Sequence, residues 1–354
     1  MKIFALLLAL AATAVAADPQ WITFEGKDGP GKGKRIVLLA GDEEYRSEEA
    51  LPQLAKILSQ RHGFTCTVLF SINAPGWSKH DIEVFKKANP NAPAPKPNDP
   101  DPNDGLIDPN TPDNEPGMEA LDTADLVITS LRYRAWPDEQ MKHFADYIDA
   151  GKPVIGLRTS THAFNGVKGT YAAYNNFGKK VLGEQWVSHW GNHKKEATKG
   201  LIMSSEDSNP ILRGVENIFG DTDVYEADPP ETATVLVLGQ VLKGMNPDDE
   251  PADYKKKRST DKVEQGVNEP PMPVVWTREN DSDLGKANKA LCTTMGSATD
   301  LQNEGLRRLI VNAAYVFTGL QVPAKADVAL VGEFKPTMYG FGGFIKGVKP
   351  ADLK

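Results

Sequence analysis

Ile36-Val37-Leu38-Leu39-Ala40 is an unbroken apolar run ended by Gly41, and it limits the possible folds more than any other segment. A run without polar alternation has no solvent face, so it suits a strand covered on both sides, as in a parallel sheet. Leu51, Leu54, Ala55 and Leu58 follow at helical spacing, with Ser47 the expected N-cap and Gly63 the expected stop. Residues 65–70 read as the next strand, which completes a βαβ unit whose crossover is expected to be right-handed. The rhythm then repeats. Strands are expected at 125–130 and 153–157, around a helix opened by Pro137 with Met141, Phe144, Ala145 and Ile148 on its apolar face. Further strands are expected at 198–203, 235–242, 274–278 and 291–295. A last helix is expected at 303–319, with Leu306, Leu309, Ile310, Ala313 and Phe317 on one side. The pattern predicts a doubly wound α/β sheet. Ligands gather at the carboxyl ends of the strands in such sheets, which directs attention to 41–49, 130–136, 158–165 and 295–300.

Four segments stand outside this rhythm. Residues 1–17 carry one lysine, an apolar Leu/Ala stretch and small residues at 14–17, the plan of a secretory signal peptide. The expectation is export to the periplasm or the outside, with no membrane segment after cleavage. Residues 18–33 read as a leader before a domain at 34–322. Residues 88–117 hold nine prolines, and their five Asp and one Glu against one Lys give −6 + 1 = −5. Such a stretch cannot build a core and reads as an acidic surface insert. Its Asp99, Asp101 and Asn103 alternate as in a calcium loop, but Asp104 stands where the glycine of an EF-hand belongs and no glutamate closes the loop. Residues 245–273 read as a second polar loop with a solvated Lys255-Lys256-Lys257-Arg258 run, and 323–354 as a Gly/Pro-rich tail wrapped on the surface. The formal charge of −8 disfavours nucleic acid as a partner, and two cysteines, Cys66 and Cys292, read as buried thiols.

Three strand ends and one loop carry candidate chemistry. Asp42, Glu43 and Glu44 crowd one turn, which can raise a carboxyl pKa and make a general acid or base, or can simply suit a helix N-terminus. Arg132 and Arg134 with Trp136 suit a carboxylate or a sugar ring, or else a salt-bridged loop. Arg158 and His162 leave a buried strand through a sharp turn that carries Ser160 but no cysteine. His189 and His193 stand four apart beside Trp190. With His162 they suit a divalent metal such as zinc or manganese, acid–base work on a sugar, or a structural role. His62, His80 and His143 read as structural or surface residues.

The segment order resembles the ThuA-like (trehalose-utilisation) family. The resemblance rests on residues 35–41 and 153–164, on Phe177-Gly178-Lys179-Lys180-Val181-Leu182-Gly183 leading to His189 and His193, and on Pro273-Val274-Val275-Trp276-Thr277-Arg278 and Thr293-Thr294-Met295-Gly296. It implies a flavodoxin-like fold, with a mostly parallel sheet and helices on both faces, related to class I glutamine amidotransferases. It also implies a role in carbohydrate metabolism, on a sugar, an oxidised (keto) sugar or a glycoside. The turn that carries cysteine in the amidotransferase relatives holds Arg158-Thr159-Ser160 here, so glutamine hydrolysis is not expected. The function expected is a sugar hydrolase or isomerase. His162, His189, His193 and Glu44 would move protons, and Arg158, Arg132, Arg134, Trp136 and Trp190 would bind substrate. The second reading is a non-catalytic protein that binds carbohydrate or docks a partner.

Overall fold

The structure is a computed structural model that describes residues 19–77, 79–280, 284 and 287–354, without the side chains of 79–81. The expected signal peptide at 1–17 lies outside the described residues, as does the side chain of His80. Among the described residues, no helix is long and apolar enough to cross a membrane.

The elements follow the chain as β1 (Trp21–Phe24), β2 (Arg35–Gly41), α1 (Ser47–His62), β3 (Thr65–Phe70), α2 (Lys79–Ala88), β4 (Leu126–Leu131), α3 (Asp138–Asp149) and β5 (Val154–Leu157). Then come β6 (Thr198–Ile202), β7 (Phe219–Gly220), β8 (Thr234–Val241), β9 (Lys255–Lys257), β10 (Glu264–Gly266), β11 (Met272–Glu279), β12 (Lys289–Thr293) and α4 (Glu304–Phe317). One sheet has the order β1-β3-β2-β4-β5-β12-β11-β8-β6-β7. Its centre, β3-β2-β4-β5-β12, is parallel. The strands on either side run antiparallel, so the whole is a mixed α/β sheet.

The apolar run of β2 is buried for the reason its composition implies. Leu38 and Ala40 join one core cluster with Leu51 and Leu54 of α1 and Leu309 and Ile310 of α4. Val37 and Leu39 join the other, with Met141, Phe144 and Ile148 of α3. Successive side chains of a strand point to opposite faces, so an uninterrupted apolar strand needs a helix on each side. Both cysteines are buried and free.

Several expectations change. Ser47 is the first helical residue rather than the cap. The cap position is Arg46, in the left-handed conformation at φ 60, and the Ser47 Oγ accepts from the Asp42 N–H at 3.0 Å. The leader is part of the fold, because β1 pairs antiparallel with β3. The acidic insert is pinned at Ile107, which is buried and donates its N–H to the Val348 carbonyl. Its Asp101 accepts from the Asn103 backbone and amide, a local turn. The 245–273 loop contains the β9–β10 ladder, and Lys256 is no mere solvated charge: its Nζ donates to the carbonyls of His189 and Trp190 at 2.9 and 2.7 Å. The tail returns to the domain. Arg61 pairs with Asp327 at 2.8 Å, and Tyr339 is buried.

Candidate active site

The carboxyl ends of β2, β4 and β5 meet the 183–197 loop and the tail around an open cleft of about 270 Å³. Each of these strand ends turns through a left-handed residue: Arg46 at φ 60, Tyr133 at φ 51 and Arg158 at φ 43. Such backbone persists only where surrounding contacts over-determine it. At Arg158 those contacts are plain. Its fully buried guanidinium donates to the carbonyls of Asp223 and Thr294 at 2.7 and 2.6 Å and to the Asp223 carboxylate at 3.0 Å. It also lies over the Tyr225 ring at 3.8 Å.

Asp223 is the centre of the site. Its carboxylate accepts from Arg158, from the His189 Nδ1–H at 2.7 Å and from the His193 Nδ1–H at 3.0 Å. Burial alone would push this carboxyl up, but the Arg158 charge and the two histidines hold it well below the usual range. The other ring nitrogen of His193 faces Glu44 Oε1 at 3.2 Å. Hydrogen bonds to Asp223 and Glu44 together raise the imidazole to about 9, so His193 is an imidazolium at neutral pH. His189 differs. Its Nδ1–H is committed to Asp223, which leaves Nε2 as the nitrogen open to a substrate on a ring that lines the cleft.

The two histidines reach Asp223 through a turn, not a helix. Trp190 is fully buried, and its indole N–H donates to the Val267 carbonyl at 2.7 Å. The backbone N–H groups of Trp190 and Gly191 both donate to the Val224 carbonyl. This anchor leaves His189 and His193 on either side of it, ring centroids 4.6 Å apart.

Of the crowded carboxylates, only Glu44 reaches the histidines. Asp42 is buried and accepts from the Glu44 and Tyr45 N–H groups and from Thr159. Glu43 pairs with Arg132 and with Arg134. Arg132 lines the cleft as expected. Arg134 does not: it is buried and spends its guanidinium on Glu43 and on the carbonyls of Pro109 and Thr111 in the insert. Arg158 also touches no cleft. Trp136 packs in the core on Phe144 and Phe164, and Trp190 is an anchor. Arg134, Arg158, Trp136 and Trp190 are therefore withdrawn as substrate-binding residues, because all four are buried and none lines this cleft. Trp186, Tyr225 and Phe341 supply the rings of the cleft instead. Ser160 is buried and bonded to Thr129, which removes it as a nucleophile.

His162 lines the cleft but stands apart from the pair, packed against Tyr133 and Trp186 at centroid distances of 5.0 and 5.1 Å. Burial, then the charges of Arg132 and Arg158, push its imidazole well below the ordinary value, so it stays neutral. The three-histidine metal set is thus corrected: among the described residues, the group whose donor atoms lie within 4.8 Å is His189, His193 and Asp223. Metal ligation needs lone pairs. His193 holds a proton on each nitrogen between two carboxylates, and Asp223 already accepts three donors. Without a metal this set is linked for proton transfer, and a divalent metal that displaced those protons would be held by the same three residues.

Two contributors carried no sequence signal. Asp223 lies in an irregular stretch after the two-residue β7. Tyr339 comes from the tail, stacks on Tyr45 at 5.2 Å and contacts His193 at 5.6 Å, while Gly340 donates its N–H to the Glu44 carbonyl.

The family model for ThuA, described as trehalose utilisation, matches residues 108–315. The chain belongs to the ThuA family. That span includes the 158–162 turn, both cleft histidines and Asp223, but neither Glu44 nor Tyr339, which this ThuA-family chain brings to the cleft from either side of the match. Among solved structures, a ThuA-like protein of Parabacteroides merdae is 14% identical, with 82% of this chain and 92% of that chain covered and a TM-score of 0.44. A ThuA-like protein of Bacteroides uniformis is 15% identical, with 83% and 94% covered and a TM-score of 0.40. No curated protein sequence matches the chain.

Proposed function

We propose that this chain is an enzyme that acts on a saccharide, a keto sugar or a glycoside, by acid–base chemistry of its histidines and carboxylates. The observation that carries the proposal is the continuous hydrogen-bonded series Glu44–His193–Asp223–His189 along one wall of an aromatic cleft. The family's carbohydrate role supports the substrate class. His189 Nε2 acts as the base, taking a proton from a sugar hydroxyl or from a carbon beside a keto group, with Asp223 stabilising the imidazolium that forms. His193 and Glu44 hold a proton at the opposite side of the relay and return it to the leaving or carbonyl oxygen. Trp186, Tyr225 and Phe341 present ring faces to the sugar C–H groups, and Arg132 adds a cation.

The finer reading of the fold belongs to the same proposal. The central order β3-β2-β4-β5-β12 is the 2-1-3-4-5 order of flavodoxin-like sheets when its parallel strands are numbered along the chain. We also propose export, on the apolar run and small residues of 1–17.

The test is incubation of the protein with trehalose, keto-trehalose and a panel of simple and keto glycosides, with products followed by NMR. The expected result is release or isomerisation of a sugar by wild type and none by the His189→Ala, His193→Ala double variant. Saccharide binding by calorimetry without product over long incubation would establish the binding-protein reading instead.

A further inference from the structure

A second cleft of about 330 Å³ is bordered by the same tail that borders the candidate active site. Three aromatic rings, Trp77, Phe85 and Phe344, line it together with Asn73, Asp108 and Lys346. Trp77 and Phe85 meet edge to face at 5.3 Å, and the Trp77 indole N–H is fixed by the Pro100 carbonyl at 3.0 Å, so the platform is rigid before any ligand arrives. The wall is shared with the first cleft through adjacent residues: Phe341 lines the first and Gly342 the second.

Asn73 is the informative residue. It is only 4% exposed, yet its side-chain amide makes no hydrogen bond to any described residue. Its amide atoms are not sealed off from solvent, so water can meet their hydrogen bonds. Here the amide borders a cleft, where a ligand can satisfy it. An amide offers donor and acceptor together, which matches a hydroxyl, a group that also does both. Asp108 adds an acceptor and Lys346 a donor. Ring faces beneath, with uncharged and oppositely charged polar groups at the side, suit a neutral polyhydroxylated ring better than an anion or a purely apolar peptide.

We infer that the cleft between α2, the acidic insert and the tail is a second saccharide subsite, which holds a neutral pyranose ring of a substrate whose reacting ring occupies the first cleft. The inference deepens the proposed function and rests on its saccharide reading. It also gives the acidic insert a task, since Asn103, Asp108 and Asn110 come from it.

The experiment is saturation-transfer NMR and calorimetry with trehalose, maltotriose and cellotriose. The proteins are wild type, Asn73→Ala, Phe344→Ala and Glu44→Gln. Asn73→Ala breaks no side-chain hydrogen bond, so it should melt at the wild-type temperature or above. Expected is a Kd for at least one saccharide that weakens about tenfold in Asn73→Ala and Phe344→Ala, the loss of one well-made contact. In Glu44→Gln the second-cleft contacts are untouched, so binding should not show the tenfold loss of Asn73→Ala and Phe344→Ala while turnover falls. Equal binding by wild type and both second-cleft variants overturns the inference, as does failure of all three saccharides to bind at millimolar concentration. Weakened binding in Asn73→Ala with no turnover by wild type leaves the subsite standing and removes the catalytic reading alone.

Discussion

Asp223→Ala is expected to destabilise the fold by about 3–5 kcal/mol in urea denaturation, the usual cost of stripping one partner from a buried ion pair. Asp223 and Arg158 are both fully buried, and the guanidinium keeps no route to solvent once the carboxylate is gone. The same change frees two histidines from the oxygen atoms that orient them. A structural role alone would end there. Removing both charges, in contrast, should cost less than removing one. Arg158→Met combined with Asp223→Leu is expected to be less destabilised than the sum of the single changes. A double variant that simply adds the two losses would show that Arg158 and Asp223 act independently.

His193→Ala should lower kcat by about 10²- to 10⁴-fold with little change in KM, the range for loss of a positioned acid or base. The ring sits between two carboxylates and is not the main apolar surface of the cleft, so substrate affinity should survive its loss. Glu44→Gln removes one of the two hydrogen bonds that raise His193, so it should reduce kcat less and move the alkaline limb of the pH profile downward. The combined His193→Ala, Glu44→Gln variant should fall no further than His193→Ala, because residues that act as one unit do not add. A KM rise with kcat intact would turn His193 into a binding residue.

The central strands were legible because they are buried on both faces, which leaves no alternation to misread. β2, β4 and β5 lie within a residue or two of their expected bounds. The antiparallel flank was visible as strands but not as directions, since pairing sense depends on partners far along the chain. The site was half legible. Glu44, Arg132, His162, His189 and His193 do line one cleft. His189 and His193 stand four apart in the sequence, and a turn around the buried Trp190 brings them together. Tryptophan beside polar residues reads the same in a sugar platform and in a core anchor, and Trp136 and Trp190 are anchors. An arginine at a strand end likewise reads as a ligand-binding residue until its carbonyl partners are known, as at Arg134 and Arg158. Asp223 had no motif around it. Its importance arises from three partners that lie at least 30 residues away in sequence.

The proposed relay depends on a charged imidazole held between two carboxylates, so the most direct measurement is an NMR titration of the histidine rings. His193→Ala provides the assignment. His193 is expected to carry a proton on both nitrogens at pH 7 and to titrate at about 9, against 6.5 for an unperturbed ring, while His162 stays neutral far below 6.5. Because the folded value is raised, the stability this proton contributes is complete below pH 6.5 and is lost as pH rises through about 9, so the melting temperature should fall across that window. A His193 ring that titrates at or below 6.5, or that has one bare nitrogen at pH 7, would contradict the relay and return the cluster to the divalent-metal reading.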